Sequence, residues 1–371
     1  MSRMHDVWLH GIGTAVPPRA YSQEVAREFM LGLQTYGEKE RRFLTRIYQN
    51  TGIRERHSVI EDYGKPVDEY EFFARNESLL PEPAVAERND LFVHHAERLS
   101  HEAVEALGAD CDGFQPAEVT HLITVTCTGF SAPGFDYSLV RRLGLPTTVH
   151  RYHIGFMGCY AGFTAMKLAH TICVAEPAAV VLIADVELCT IHFQFKPDPE
   201  TMVANSLFAD GAAAALVSAR APRSGGYRLV GFFSRIIPES AQEMSWRLGN
   251  TAFDMTLSSY VPRLLHRDIG EIVRHATEAV GLSQDEVRLW AIHPGGRAIL
   301  DRIADALGLD DGALADSFAT LAAYGNMSSA TIFFVLDRMR RSEQEGPVFA
   351  AAFGPGLTVE SAALERVRVE R

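Results

Sequence analysis

Three residues in this chain carry side chains that together could run carbon–sulfur and carbon–carbon chemistry: Cys159, His293 and Asn326. A thiolate is a strong nucleophile and an imidazole can take its proton. An imidazole and a carboxamide can also donate hydrogen bonds to a thioester oxygen as it becomes an enolate or oxyanion. That set suits acyl transfer onto sulfur followed by carbon–carbon bond formation. Each residue alone has a plainer reading. Most free cysteines are small buried hydrophobes, and Cys111, Cys127, Cys173 and Cys189 are available for that role. A histidine after an apolar strand is often a core residue, and Asn-Met-Ser-Ser suits a helix cap.

The elements that must position these groups follow from the surrounding pattern. In residues 150–171, H-R-Y-H-I-G-F-M-G-C-Y-A-G-F-T-A-M-K-L-A-H-T, the spacing of Ala161, Ala165, Leu168 and Ala169 predicts a helix after Cys159. Gly158 allows close backbone approach, and a thiol at or near the first helical turn meets free N–H groups and the helix dipole, which predicts a lowered pKa. The later sequence repeats the order of events. Residues 288–292 run into H-P-G-G as residues 121–126 run into T-C-T-G; Y-G-N-M-S-S precedes a helix near residues 330–339 as G-F-M-G-C precedes the other; residues 347–353 lead to G-P-G-L-T-V-E as residues 178–184 lead to D-V-E-L. The chain therefore reads as two related halves, residues 1–221 with the cysteine and residues 222–371 with the histidine and asparagine. Pro294, Gly295 and Gly296 let backbone approach a ligand closely.

The remaining elements can be placed more coarsely. Residues 7–13 suggest a strand and residues 22–33 a helix capped by Ser22. Charge is dense over residues 36–57, with Lys39, Arg41, Arg42, Arg46, Arg54 and Arg56, which suits either a solvated helix face or a landing site for phosphates. Residues 59–88 read as a long surface excursion, residues 89–107 and 135–143 as helices, and L-F-A-D-G-A-A-A-A-L-V as a glycine turn leading into a buried strand. Residues 228–237 suggest a strand and residues 260–280 a long helix.

Composition bounds the rest. A chain of 371 residues, 47% hydrophobic, can bury a large core in two domains or halves. Its net charge of -12, spread without like-sign blocks, argues against nucleic-acid binding. Five cysteines, an odd number, make no disulfide framework and point to a reducing compartment. The opening M-S-R-M-H-D-V-W has no signal pattern and no run reaches the length of a membrane span, so a cytoplasmic protein is expected. With no C-x-x-C pair and no G-x-G-x-x-G after a strand, neither a metal nor a redox cofactor is expected.

The segments G-F-M-G-C-Y-A-G, L-F-A-D-G-A-A-A, I-H-P-G-G-R-A-I-L-D, Y-G-N-M-S-S-A and F-G-P-G-L-T-V-E together resemble those of the type III polyketide synthases, the chalcone synthase-like branch of the thiolase superfamily. The resemblance implies an α/β thiolase-like fold of five layers, αβαβα, a homodimer, and action on CoA thioesters without a carrier protein. It implies that Cys159 is the acylated nucleophile, with His293 and Asn326 as the decarboxylation and oxyanion pair. Phe208 falls on the gatekeeper position, Arg46 on a CoA-phosphate contact, and Gly295, Gly296 and Ala298 along the pantetheine arm. The usual lysine companions of Arg46 are Phe43 and Asn50 here, leaving Arg41 and Arg42 as substitutes. Ser328 matches a cavity residue and Pro355 lies in the cyclisation-pocket loop.

Departures from the plant enzymes concern substrate. Cys127, Cys189 and His192 stand at three cavity threonine positions, Met255 at a second gatekeeper phenylalanine, and Trp246 at a glycine that shapes the cavity. Ala132 replaces a methionine that reaches across the dimer, and Ala352 a glycine of the terminal loop. These changes resemble bacterial members and point away from a p-coumaroyl starter. A fatty acyl-CoA starter giving alkylresorcinols or alkylpyrones is favoured over malonyl-CoA priming to tetrahydroxynaphthalene, while Trp246, if it faces the cavity, favours a smaller product. A priming β-ketoacyl synthase making one condensation, and a non-catalytic acyl-binding subunit, are the alternatives.

Overall fold

The computed structural model describes residues 5–368 apart from 112, 239 and 259, so the outermost residues of the two expected halves and the first residues of the N-terminus lie outside the described residues. Continuous apolar runs become strands buried on both faces: His121–Thr126, Val180–Leu188 and Asp210–Ser218. With Trp8–Ala15 and the edge strand His150–Gly155 they form the first part of a nine-stranded sheet. Counted along the chain, these five strands lie in the order third, second, fourth, fifth, first. Gly226–Ile236, Leu289–Ile292, Gly346–Gly354 and Thr358–Val367 form the other part, in the order second, fourth, fifth, first, with no counterpart of the third strand among the described residues. Pairing senses match as well. The second and fourth strands are parallel in both parts, and the later pairs are antiparallel. The two parts meet through the pairs Trp8–Arg228 and Leu9–Tyr227.

Helices Ala161–Ala175 and Thr331–Arg340 sit between the two parts of the sheet, sharing one core with residues of both. Val85–Asp110 and Phe135–Leu143 cover the outer face of the first part, and Val261–Glu278 with Arg297–Leu307 cover that of the second. The result is five layers, αβαβα. Ser22 caps the helix Gln23–Gly32 by accepting from the Val25 N–H at 3.1 Å.

Residues 59–88 are not the surface excursion that their polarity suggests. Val59, Ile60, Tyr70, Phe73 and Leu79 are buried. Phe73 meets Phe29, Phe193 and Phe195 at ring-centroid distances of 5.9, 5.8 and 5.4 Å. The fully buried Asp62 accepts from the backbone N–H groups of Glu71, Phe72 and Phe73, which satisfies an irregular segment without a ladder. The following helix begins at Val85, four residues before the expected start, because Arg88 is a buried tie rather than a solvated charge. It donates to the carbonyls of Ile191, Phe193 at 3.0 Å and Thr251 at 2.7 Å. Gly211 also differs from expectation. It lies inside a strand, where a Cβ would come 2.3 Å from Met327 Sδ, so close packing explains the glycine and no turn is needed. Among the described residues no helix is long and apolar enough to cross a membrane.

Candidate active site

Cys159 is delivered by a tight passage from the strand His150–Gly155 to the helix Ala161–Ala175. Phe156 and Gly158 both have positive φ, 58° and 89°. A Cβ on Gly158 would meet Pro355 Cδ at 2.1 Å, so glycine is required by conformation and by space. The Gly158 N–H donates to Cys127 Sγ at 2.9 Å, fixing the residue next to the nucleophile candidate. Cys159 precedes the helix by two positions instead of lying in its first turn. Cys159 is partly exposed and lines the cavity. Burial pushes its thiol up to about 12, with hydrogen bonding from Ser328 pulling the other way and the Glu187 charge adding to the rise. The lowering expected from the helix terminus is therefore reversed, because desolvation of a thiolate outweighs a partial charge at the helix end.

His293 follows directly on the strand Leu289–Ile292, and its N–H donates to the Ala351 carbonyl at 2.8 Å. The imidazole is 1% exposed and, among the described residues, neither ring nitrogen has a partner. Burial lowers it to about 3, which keeps the ring neutral with one nitrogen able to donate and one able to accept. Asn326 is held at both ends of its backbone. Its N–H donates to the Leu207 carbonyl at 2.9 Å and its carbonyl accepts from Ala209 N–H at 2.8 Å. The side-chain oxygen accepts from Ser328 N–H at 2.9 Å, so the NH2 group is defined and makes a long 3.4 Å contact to the Gly295 carbonyl. Ser328 itself sits at φ 48°, a conformation uncommon for a residue with a Cβ.

All three side chains line one cavity of about 1080 Å3, its mouth included. Phe208, Met255, Cys127, Cys189, His192, Gly295, Ser328 and Pro355 lie on the same wall, and so does Trp246. Trp246 is anchored by donating from Nε1 to the Cys127 carbonyl at 2.7 Å. His192 presents a ring face and not a reactive atom. Its Nε2 donates to the Thr128 carbonyl at 2.7 Å, its Nδ1 accepts from Phe253 N–H at 3.2 Å, and the ring stacks on Phe253 at 4.0 Å. Arg46, Gly296 and Ala298 are not on the cavity wall; Arg46 and Ala298 are exposed. A Cβ on Gly52, just past the helix Glu38–Asn50, would lie 3.4 Å from Arg297 Cδ, so the end of that helix approaches Arg297.

Two expected basic substitutes fare differently. Arg41 is occupied by the carbonyls of Leu31, Leu33 at 3.0 Å and Tyr36 at 2.9 Å, which removes it as a phosphate ligand. Arg42 is exposed in an ion pair with Glu38. Three contributors were not singled out from sequence: Phe253, Glu187 and Asp185. Arg56 reaches inward to the carbonyls of Asn205 and Phe208 at 2.8 and 2.7 Å. D-V-E-L carried the signal for the acids, as two charges inside an apolar run.

Comparison with known proteins decides the family. Residues 5–221 match the N-terminal domain model of the chalcone and stilbene synthases and residues 228–368 match the C-terminal one. The chain is a type III polyketide synthase. A curated relative, the "Alpha-pyrone synthesis polyketide synthase-like Pks18" of Mycobacterium tuberculosis, is 30% identical over 97% of this synthase and 91% of its own length. Among solved structures, the type III polyketide synthase domain of Steely1 from Dictyostelium superimposes with a TM-score of 0.90 at 27% identity, covering 98% of the synthase and 99% of that chain. The 1,3,6,8-tetrahydroxynaphthalene synthase of Streptomyces coelicolor A3(2) gives 0.87 at 28%, covering 98% and 100%. The synthase thus belongs with condensing acyltransferases that act on CoA thioesters, and its thiolase-like fold is that of its neighbours.

Proposed function

We propose that this synthase loads an acyl group from a CoA thioester onto Cys159, extends it by repeated decarboxylative condensation with malonyl-CoA, and closes the product to an alkylpyrone or alkylresorcinol. The observation that carries the reading is the convergence of thiol, imidazole and carboxamide from three distant segments on one mostly apolar cavity. Cys159 and His293 start neutral. Either charge alone is disfavoured by burial, whereas moving the proton from Sγ to the imidazole creates both together, so that each offsets the other. The thiolate attacks the starter thioester, the carbon–sulfur bond to CoA breaks, and the imidazolium returns its proton to the departing CoA thiolate.

Malonyl-CoA then binds with its thioester oxygen at His293 and the Asn326 NH2 group. Loss of CO2 leaves an enolate that these donors stabilise, and a neutral imidazole can donate without quenching the carbanion. The carbanion attacks the Cys159 thioester; the new carbon–carbon bond forms as the bond to sulfur breaks and the thiolate is restored. Phe208 is the gate to the cavity. Arg46 meets the CoA phosphates, and Gly295, Gly296 and Ala298 meet the pantetheine arm. No metal or redox cofactor enters this scheme.

The fatty-starter reading is supported by Cys127, Cys189 and Met255 on the wall and by the α-pyrone activity in the name of the Mycobacterium relative. Trp246 on that wall sets a limit on the number of extensions. The functional unit is a homodimer, divided within each subunit into residues 1–221 and 222–371. The edge strand His150–Gly155 is exposed at five of its six residues, and Phe130, Tyr137, Tyr152 and Phe156 are exposed aromatics on or near it. An edge of that kind calls for cover.

Incubation with radiolabelled malonyl-CoA and a panel of acyl-CoAs, followed by mass spectrometry, tests the reading. Labelled CO2 and pyrone or resorcinol masses with two or more extender units are expected. A single extension per product would point to a priming synthase instead, and no released CO2 to an acyl-binding subunit.

A further inference from the structure

Two acidic side chains lie behind the cavity wall and have no part in the steps above. Asp185 and Glu187 are alternate residues of Val180–Leu188, on one face of the strand, and both are fully buried. The equally buried hydroxyl of Ser329 sits between them, 2.8 Å from Asp185 Oδ1 and 2.6 Å from Glu187 Oε1. A serine hydroxyl has one hydrogen. It can donate to one of these oxygens, so the other contact needs a hydrogen supplied by the carboxyl group itself. One of the two acids is therefore protonated.

The surroundings identify which. Glu187 Oε2 accepts from Cys127 N–H at 2.9 Å and from Thr128 Oγ1 at 3.0 Å, as a carboxylate requires. Asp185 Oδ2 is buried with no partner among the described residues, which a carboxylate tolerates poorly and the carbonyl oxygen of a neutral acid tolerates better. Burial and the Glu187 charge push the Asp185 carboxyl well above its ordinary range.

We propose that Asp185 is a neutral acid at rest and a positioning residue for the Cys159 reaction: its O–H donates to Ser329, Ser329 donates to Glu187, and Glu187 is the one carboxylate. Through Cys127, Glu187 orders the thiol side of the site, because Cys127 Sγ holds Gly158 N–H and the Cys127 carbonyl holds Trp246. Through Ser329 the same relay orders the turn Ser328–Ala330 that follows Asn326. One shared proton thereby links the loop of the nucleophile to the loop of the carboxamide.

Asp185→Asn is the discriminating variant, since its amide keeps an N–H donor facing Ser329 and adds no charge. Product formation in D185N should stay within about twofold of wild type, while D185A loses about ten- to a hundredfold in kcat with KM little changed. Infrared spectroscopy of the intact protein at neutral pH should show the carbonyl stretch of a buried carboxylic acid that D185N removes. The proposal is overturned if no such band is lost, or if D185N is as impaired as D185A. Should D185A fail to fold, D185N and the infrared band still decide. The kinetic part rests on Cys159 as nucleophile, whereas the infrared part does not. A lost band in D185N together with full condensation by Cys159→Ala would overturn the catalytic role while leaving the shared proton in place.

Discussion

The two halves of the chain use one pattern of strand, loop and helix, and they use it differently. After the strand His121–Thr126 comes Cys127, and after Leu289–Ile292 comes His293. Both residues are buried on the same cavity wall. Cys127 is tied down by Gly158 N–H and by Glu187 at its own backbone, whereas both nitrogens of His293 lack partners among the described residues. The contrast recurs between the two histidines of the cavity. Burial lowers both His192 and His293 to about 3, but His192 has a partner at each nitrogen. Burial and a displaced pKa are therefore shared by wall and reactive residues. Between these two histidines, what differs is whether the ring nitrogens are answered among the described residues.

The sharpest way to break that contrast is at the reactive groups. Cys159→Ala should lower polyketide formation by more than about 10^3-fold while slow malonyl-CoA decarboxylation persists, measured as product and as labelled CO2. Wild-type rates in that variant would move the nucleophile elsewhere. His293→Ala should cost about 10^2- to 10^3-fold in kcat. It should also leave Cys159 with its own elevated pKa, so alkylation by iodoacetamide keeps climbing with pH toward about 12. A plateau near neutrality in His293→Ala would mean that another group holds the thiolate.

His192→Phe tests the other side of the comparison. It removes two buried hydrogen bonds and should reduce stability by about 1–3 kcal/mol in denaturant titrations, with kcat changed less than about fivefold. A collapse in kcat comparable with that of His293→Ala would abolish the distinction. A comparable effect is expected on acid stability. Because both imidazoles are held neutral, the unfolded chain gains protons first as pH falls below the ordinary histidine value of about 6.5, and stability is lost progressively toward pH 3. At pH 5 each contributes about 2 kcal/mol of loss, and His192→Phe should be spared one share in unfolding measured at pH 7 and pH 5.

Much of this was legible in the chain because period and glycine placement report local geometry. The helix after Cys159, its counterpart after Asn326 and the short helix Phe135–Leu143 were all read from the sequence. Residues 59–88 did not, because their burial comes from a carboxylate collecting backbone N–H groups and from aromatic contacts with residues far along the chain. The thiol of Cys159 was misjudged for a related reason. A helix terminus is visible in sequence, but the thickness of protein around a side chain is not. Glu187 and Asp185 were passed over inside an apolar run, where their meaning depends on Ser329, 142 to 144 positions away.

The pairing of Phe208 with Asn326 has a kinetic consequence. Main-chain bonds on either side of Phe208, together with the Arg56 guanidinium at its carbonyl, pin its backbone to the strip that carries the carboxamide. The ring can therefore yield to incoming cargo by swivelling about its own side-chain bonds while the peptide stays put, a motion of nanoseconds and not of milliseconds. In the gate role proposed for Phe208, such a ring works as a sieve for girth. It would not set the tempo of turnover.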